Sequence, residues 1–255
     1  MSHPRTVLVT GASRGIGLEL VKQLAALENG PVHIFAACRN PDAATDLQSV
    51  AKAHSTVHVV TLDAEDDNSI DSAVKEVQSV LKDEGLNLLV NNAGILEREG
   101  VSIPCAKRDV YQRHFNVNAT GPVMITQAFL PLLQKASSAS NSANLGIHKA
   151  AVVNISSMLG SIAENTGIEK IVDHTAYRMT KTALNQLTKT LSIDLAKDGI
   201  LVVSFCPGWV QTDMGGSQAM LKVNDSVSAL LDSFSKLSKE HTGGFFAHTG
   251  QPIKY

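Results

Sequence analysis

The sequence offers little to suggest a disulfide framework, a metal site or a strongly charged partner. Only three cysteines occur among 255 residues, namely Cys38, Cys105 and Cys206. They are too few and too far apart for a disulfide scaffold or a zinc knuckle. The formal net charge is −2, so no strong positive field favours nucleic acid as a partner. We therefore expect no metal site and no nucleic-acid binding.

Long apolar runs are also missing. The longest are far shorter than the roughly 20 residues that a membrane-spanning helix needs. The start of the sequence, Met1 to Arg5, leads into an apolar segment without the pattern of a signal peptide. Together with the scarcity of cysteine, these features predict a cytoplasmic protein that does not associate with membranes.

Strand-like and helix-like segments alternate along the whole sequence. This alternation predicts βαβ units, and therefore an α/β fold built on a parallel sheet. The predicted strands are 5–10, 32–37, 57–62, 86–90, 150–155, 201–205 and 243–247, and the predicted helices are 16–27, 42–53, 69–81, 110–133 and 176–196. The helix 110–133 is expected to bend or divide near Gly121-Pro122. No change in composition marks a second domain, so a single domain over residues 1–255 is predicted.

A glycine-rich turn follows the first predicted strand. The segment Thr10-Gly11-Ala12-Ser13-Arg14-Gly15-Ile16-Gly17 places three glycines where the first helix must begin. A dinucleotide pyrophosphate needs a tight turn, a backbone without Cβ atoms in the way, and free N–H groups at a helix N-terminus. On its own such a turn is weak evidence, because ordinary strand-to-helix loops also contain glycine.

Five further motifs follow in order, most of them at the ends of predicted strands. They are Asn91-Asn92-Ala93-Gly94, Asn118-Ala-Thr-Gly121, Ser157-Met-Leu-Gly160, Tyr177-Arg-Met-Thr-Lys181 and Pro207-Gly208-Trp209-Val210-Gln211-Thr212. With the glycine turn, they resemble the short-chain dehydrogenase/reductases over nearly the whole chain. The details are similar to the sniffer-type carbonyl reductases and the C-factor-like group. The resemblance implies a Rossmann-type doubly wound sheet with helices on both faces, and hydride transfer between a nicotinamide cofactor and a carbonyl compound.

The resemblance implies four catalytic residues, Asn118, Ser157, Tyr177 and Lys181. Tyr177 would donate a proton to the carbonyl oxygen, Ser157 would hold that oxygen, and Lys181 would bind the nicotinamide ribose. Asn118 would position a water molecule in a proton relay, with Asn116 as the neighbouring alternative. Tyr177 and Lys181 stand one helical turn apart and can face the same cleft. A phenol has a pKa of about 10, which a nearby ammonium is expected to lower.

The end of the second strand indicates which cofactor binds. Enzymes that use NAD usually carry an acid there for the ribose hydroxyls, whereas this strand leads into Arg39. Arg39 and Arg14 can bind the 2′-phosphate, so the predicted cofactor is NADP(H). Asp63 resembles the family residue that contacts adenine, or else it is an acid at a helix start. The full set of expected cofactor-binding residues is Gly11, Ser13, Arg14, Gly15, Ile16, Gly17, Arg39, Asp63, Ala64, Asn92, Ala93, Gly94, Tyr177, Lys181, Pro207, Gly208, Val210 and Thr212.

Two stretches are expected to be surface insertions. Residues 136–148 are rich in serine, asparagine and alanine, and residues 162–174 contain the polar, turn-forming run from Glu164 to Gly167. The second stretch lies between Ser157 and Tyr177, and the family usually has fewer residues there. It is expected to be a mobile lid that selects the substrate, or else a passive bulge.

These features predict an NADP(H)-dependent reductase of a small ketone, aldehyde or quinone. One alternative is a catalytically idle NADP(H)-binding protein that signals redox state through partners, although the four catalytic residues are all present. Another is an epimerase or dehydratase, but those relatives usually have longer chains and a larger substrate domain. The sequence leaves open the substrate, the direction of the reaction, and whether the protein forms a homo-oligomer.

Overall fold

A seven-stranded sheet forms the centre of the molecule. The computed structural model describes residues 3–166 and 174–255. Its strands are β1 (Thr6–Thr10), β2 (His33–Cys38), β3 (Val57–Thr61), β4 (Leu88–Asn91), β5 (Ala151–Ile155), β6 (Leu201–Cys206) and β7 (Phe245–Ala247). Their order in the sheet is β3-β2-β1-β4-β5-β6-β7, and every neighbouring pair is parallel. The predicted Rossmann-type doubly wound sheet is confirmed.

Helices cover both faces of this sheet. They are α1 (Gly15–Ala25), α2 (Thr45–Ala53), α3 (Asp67–Leu81), α4 (Arg108–Phe115), α5 (Gly121–Ala139), α6 (Thr175–Asp194) and α7 (Val223–Ser235). Successive residues of β1 enter opposite apolar cores: Val7 packs in the core under α1 and α7, and Leu8 in the core under α3 and α5. All five residues of β1 are buried, because a parallel sheet covered on both faces has no side exposed to water.

The predicted helix 110–133 is divided, as expected, but by a turn of π-helix. Residues Asn116–Thr120 form this turn between α4 and α5. Pro122 then occupies the first turn of α5, where its missing N–H group costs no helical hydrogen bond. Asn118 therefore lies in a π-helical turn between two helices rather than inside a regular α-helix.

The first predicted insertion begins too early. Residues 136–139 belong to α5, and both Ala136 and Ser137 are buried. Ser137 Oγ donates a hydrogen bond to the carbonyl oxygen of Asp198 at 2.7 Å. The composition of this stretch is typical of a loop, yet small residues fit a helix that packs closely against its neighbours. The irregular segment therefore starts at Ser140.

Most of the second predicted insertion falls on residues 167–173, which lie outside the described part of the chain. Its expected role as a lid therefore stays a prediction.

The strand order reverses between β1 and β4. The chain passes from β1 outward to β2 and β3, and then returns to place β4 on the other side of β1. In doubly wound sheets, ligands bind outside the carboxyl ends of the strands at such a point. The turn after Thr10 and the segment after Asn91 meet there.

No helix among the described residues is long and apolar enough to span a bilayer.

Candidate active site

The glycine turn after β1 has room for hydrogen but not for side chains. Gly11 and Gly15 have φ values of 66° and 57°, in the left-handed region that favours glycine. A Cβ atom on Gly17 would lie 2.3 Å from the carbonyl oxygen of Gly11, and one on Gly11 would lie 2.9 Å from Cα of Ala93. The glycines therefore let the start of α1, the end of β1 and the segment after β4 approach one another.

The start of α1 has the features of an anion site. Arg14 occupies the N-cap position without a capping hydrogen bond from its side chain, and the first turn contains no acidic residue. The first N–H groups of a helix lack partners within the helix and carry its positive dipole end. These groups and the tight glycine turn fit the pyrophosphate of a dinucleotide.

Asn92 and Thr10 hold this turn in place. Asn92 Nδ2 donates a hydrogen bond to the carbonyl oxygen of Thr10 at 2.8 Å, and Thr10 Oγ1 accepts hydrogen bonds from the backbone N–H groups of Asn92 and Ala93, both at 3.0 Å. The loop after β6 reaches the same turn, because a Cβ atom on Gly15 would lie 3.3 Å from Cγ2 of Thr212. Residues expected to bind the cofactor thus come together from three strand ends.

The two cations expected at the 2′-phosphate lie at the surface. Arg39 is exposed and directly follows β2; within residues 3–166 and 174–255 it has no hydrogen bond or ion pair. Arg14 lies 3.2 Å from a carboxylate oxygen of Asp213, and both side chains are 77% exposed. Such an exposed pair is weak, so Arg14 can exchange Asp213 for a phosphate. Asp63 Oδ1 accepts a hydrogen bond from the backbone N–H of Glu65 and so shapes its own loop.

Tyr177 and Lys181 lie side by side on the buried face of α6. Their exposed fractions are 9% and 4%, and Lys181 Nζ is 5.6 Å from the centre of the Tyr177 ring. Lys181 Nζ donates a hydrogen bond to the carbonyl oxygen of Ile155, the last residue of β5. A Cβ atom on Gly160 would lie 2.7 Å from the Lys181 backbone, so this glycine lets the loop after β5 pack against α6.

Ser157 lies two residues beyond the end of β5. Its Oγ accepts a hydrogen bond from the backbone N–H of Leu159 at 3.2 Å and caps a short 3-10 turn, Met158–Gly160. The Ser157 side chain acts to lower the pKa of the Tyr177 phenol. The serine and the tyrosine are therefore neighbours, as a shared carbonyl ligand would require.

Asn118 is fully buried in the π-helical turn. Its Oδ1 accepts a hydrogen bond from the backbone N–H of Ile95 at 2.8 Å, and its Nδ2 donates to the carbonyl oxygen of Ile95 at 2.9 Å. A Cβ atom on Gly94 would lie 3.3 Å from Asn118 Oδ1 and 3.7 Å from Lys181 Nζ, so Asn118 and Lys181 flank Gly94. The alternative, Asn116, is exposed.

Burial controls the protonation of the pair. It raises the pKa of the Tyr177 phenol well above its ordinary value, and Cys206 adds to the increase. Burial also lowers the pKa of Lys181 to about 8. The prediction that Lys181 lowers the pKa of Tyr177 is therefore wrong for this structure, because desolvation disfavours the charged form of both groups. At neutral pH, Tyr177 is a protonated phenol.

One residue beside the pair was not predicted. Cys206 ends β6 immediately before Pro207, and its Sγ accepts hydrogen bonds from the backbone N–H groups of Met158 and Gly208. The sequence shows only a cysteine before a Pro-Gly pair. Its contact with the loop after β5 depends on how two strands end side by side.

Comparison with known proteins identifies the family. A family model described as short chain dehydrogenase matches residues 5–220, and the chain belongs to that family of oxidoreductases. The carbonyl reductase Sniffer of Drosophila melanogaster is 41% identical, with a TM-score of 0.94 over 99% of this chain and 100% of that one. An NADPH-bound carbonyl reductase from chicken fatty liver is 39% identical, with a TM-score of 0.93 over 99% of this chain and 100% of that one. An uncharacterized oxidoreductase of Schizosaccharomyces pombe is 33% identical, over 97% of this chain and 96% of its own length. The predicted likeness to sniffer-type carbonyl reductases is confirmed.

Proposed function

We propose that this protein is an NADP(H)-dependent reductase of small carbonyl compounds, with Asn118, Ser157, Tyr177 and Lys181 as its catalytic residues. The observation that carries the proposal is the buried pair of Tyr177 and Lys181, which lies close to Ser157 at the edge of the sheet that also carries the glycine turn. The described strands form one sheet, which supports a single domain over residues 1–255.

NADP(H) fits the groups at the ends of β1 and β2. The start of α1 offers N–H groups to the pyrophosphate, and Arg39 and Arg14 offer guanidinium groups to the 2′-phosphate. No acid stands at the end of β2, where NAD enzymes usually carry one. The likeness to the NADPH-bound chicken reductase supports the same choice. Bound NADPH would supply the hydride.

The protonated phenol of Tyr177 suits carbonyl reduction. As the carbonyl carbon gains hydride, its oxygen becomes negatively charged and takes the proton from Tyr177 Oη. Ser157 Oγ would donate a hydrogen bond to the same oxygen and stabilise the charge that develops there. Because burial holds the pKa of Tyr177 high, the phenol is a proton donor at neutral pH rather than a base, which favours reduction over alcohol oxidation.

Lys181 and Asn118 would return a proton to Tyr177. Lys181 has a pKa of about 8, so its ammonium form can give up a proton near neutrality. Asn118 Oδ1 and Lys181 Nζ both lie within 4 Å of the point that a Cβ atom on Gly94 would occupy, so a water molecule held by Asn118 would connect Lys181 to solvent. The same ammonium can donate hydrogen bonds to the hydroxyls of the nicotinamide ribose.

A catalytically idle NADP(H)-binding protein is the competing function, and steady-state turnover separates the two. NADPH absorbance is followed with a panel of a small diketone, a quinone and a bulky aldehyde. Carbonyl-dependent consumption of NADPH with at least one compound is expected. If NADPH binds to the protein and none of the compounds is reduced, the proposed function is wrong and the idle binding protein is favoured.

A further inference from the structure

Cys206 joins the two loops that border the candidate site on the β5–β6 side. Its Sγ lies 3.1 Å from the backbone nitrogen of Met158 and 3.4 Å from that of Gly208. Met158 directly follows the candidate catalytic residue Ser157. The thiol is 6% exposed, so water cannot easily replace it as the acceptor for these two N–H groups.

The sulfur acts where the sheet hydrogen bonds between β5 and β6 come to an end. The paired residues run as far as Ile155 and Phe205, and the N–H of Ser156 still donates to the carbonyl oxygen of Phe205 at 2.7 Å. Beyond that point, within the described residues, the next hydrogen bond across the pair is the one from the N–H of Met158 to Cys206 Sγ. A side-chain atom thus extends the strand pairing past Ser157.

This hydrogen bond constrains the backbone of Ser157 directly. The N–H of Met158 belongs to the same planar peptide unit as the carbonyl group of Ser157, so fixing one fixes the other. The ψ angle of Ser157 is 148°, which keeps the residue extended while the chain turns into the 3-10 turn after it. The backbone of Ser157 sets the direction of its Cα–Cβ bond and therefore the region near Tyr177 that Oγ can reach.

We propose that Cys206 is a positioning residue for Ser157, because its sulfur holds the Ser157–Met158 peptide unit against β6. Cys206 is not a catalytic residue, and the inference rests on the proposed reductase function. Alanine at this position would leave two partly buried N–H groups without their acceptor. Serine would keep an oxygen acceptor in nearly the same place.

The test compares Cys206→Ala and Cys206→Ser, with Cys38→Ala as the matched control for losing a buried thiol. Cys38 is 3% exposed and ends β2, four strands away from β6 in the sheet order. Cys206→Ala is expected to lower kcat by roughly tenfold, as small misplacements of reacting groups do. The dissociation constant of NADPH, read by energy transfer from the single tryptophan Trp209, should change less than about twofold. Cys206→Ser should restore most of kcat, and Cys38→Ala should keep the wild-type kcat.

A second readout does not depend on turnover. With ¹⁵N-methionine labelling, the amide of Met158 is one of five methionine amide signals, because Met1 has no amide N–H, and its hydrogen exchange reports the bond to sulfur. Exchange should be at least about tenfold faster in Cys206→Ala and nearly unchanged in Cys206→Ser and Cys38→Ala. If wild-type protein reduces no carbonyl, the proposed function fails, and this measurement still decides the role of the sulfur. The inference would be overturned if Cys206→Ala kept the wild-type kcat and the wild-type exchange rate of the Met158 amide. It would also be overturned if Cys206→Ser showed the same kcat and the same exchange rate as Cys206→Ala.

Discussion

The ammonium of Lys181 and the carbonyl oxygen of Ile155 are 2.8 Å apart and share a hydrogen bond. This bond ties the middle of α6 to the last residue of β5, two residues before Ser157. Lys181 therefore occupies a place defined by the edge of the sheet as well as by its own helix. The position is dry, which is why its pKa falls to about 8.

The first prediction concerns the loss of activity at high pH. Lys181 is an ammonium below its pKa and neutral above it, and the ammonium is the form that can pass a proton to Tyr177 and that binds the ribose hydroxyls more strongly. The value of kcat/KM for NADPH, which reports the free enzyme, should fall as the pH rises through about 8. Lys189→Ala, which removes an exposed lysine from the same helix, should keep the wild-type profile. A wild-type profile that stays flat from neutrality to pH values well above 8 would show that the ammonium of Lys181 is not needed.

The second prediction concerns the proton donor. Tyr177→Phe keeps the ring and removes the hydroxyl, so kcat should fall about 10²–10⁴-fold while NADPH affinity is retained. The control is Tyr255→Phe, which loses a hydroxyl that donates to the carbonyl oxygen of Gly243 at 2.6 Å. The kcat of Tyr255→Phe should equal that of the wild type. Near-native kcat in Tyr177→Phe would rule out the phenol as the proton source.

The third prediction concerns the choice between cofactors. Arg39→Asp places a negative charge where the 2′-phosphate would lie, so the ratio of kcat/KM for NADPH to that for NADH should fall and reverse. Arg5→Ala removes an arginine that precedes β1 at the opposite edge of the sheet, where it pairs with Glu84, and should keep the wild-type ratio. Equal wild-type efficiencies with the two cofactors, or an unchanged ratio in Arg39→Asp, would mean that the phosphate is recognised elsewhere.

The fourth prediction concerns the glycine turn. In Gly17→Ala the new methyl group would lie 2.3 Å from the carbonyl oxygen of Gly11, so the turn must shift. The dissociation constant of NADPH should rise more than about tenfold, and stability should fall by about 1–3 kcal/mol. Gly216→Ala is the control, because Gly216 has a φ of 77° but no atom within 4 Å of the added Cβ. Its stability should also fall by about 1–2 kcal/mol, with NADPH affinity intact. Equal NADPH affinities in wild type and Gly17→Ala would contradict this account of the turn.

The parallel, doubly wound sheet and the meeting of the motifs could be anticipated, because strand-like and helix-like segments alternate along the sequence and the motifs resemble those of one family in the same order. β-branched runs mark the strands, and the motifs at their carboxyl ends must meet once the sheet is parallel. The prediction of a loop over residues 136–139 was wrong because a serine-rich composition is typical of loops, whereas burial against neighbouring elements keeps Ser137 in α5. Local composition carries no information about that packing.

The pKa values of Tyr177 and Lys181 could not be predicted from the sequence for a similar reason. Their spacing on a helix predicts that they are neighbours, but not that both are almost completely removed from water. Desolvation is then the largest cause of the raised pKa of the phenol. The contact between Cys206 and Met158 depends on the point at which β5 and β6 stop pairing, which no motif specifies.

Transfer of deuterium from the cofactor to the substrate tests the central claim most directly. Wild-type protein is incubated with a carbonyl compound that it consumes and with NADPH carrying deuterium at both C4 positions of the dihydronicotinamide, and the product is analysed by mass spectrometry. The account predicts an alcohol one mass unit heavier, with deuterium on the former carbonyl carbon, and almost no such product from Tyr177→Phe. An alcohol without deuterium, or NADPH that stays bound and unoxidised with every carbonyl compound tried, would contradict it.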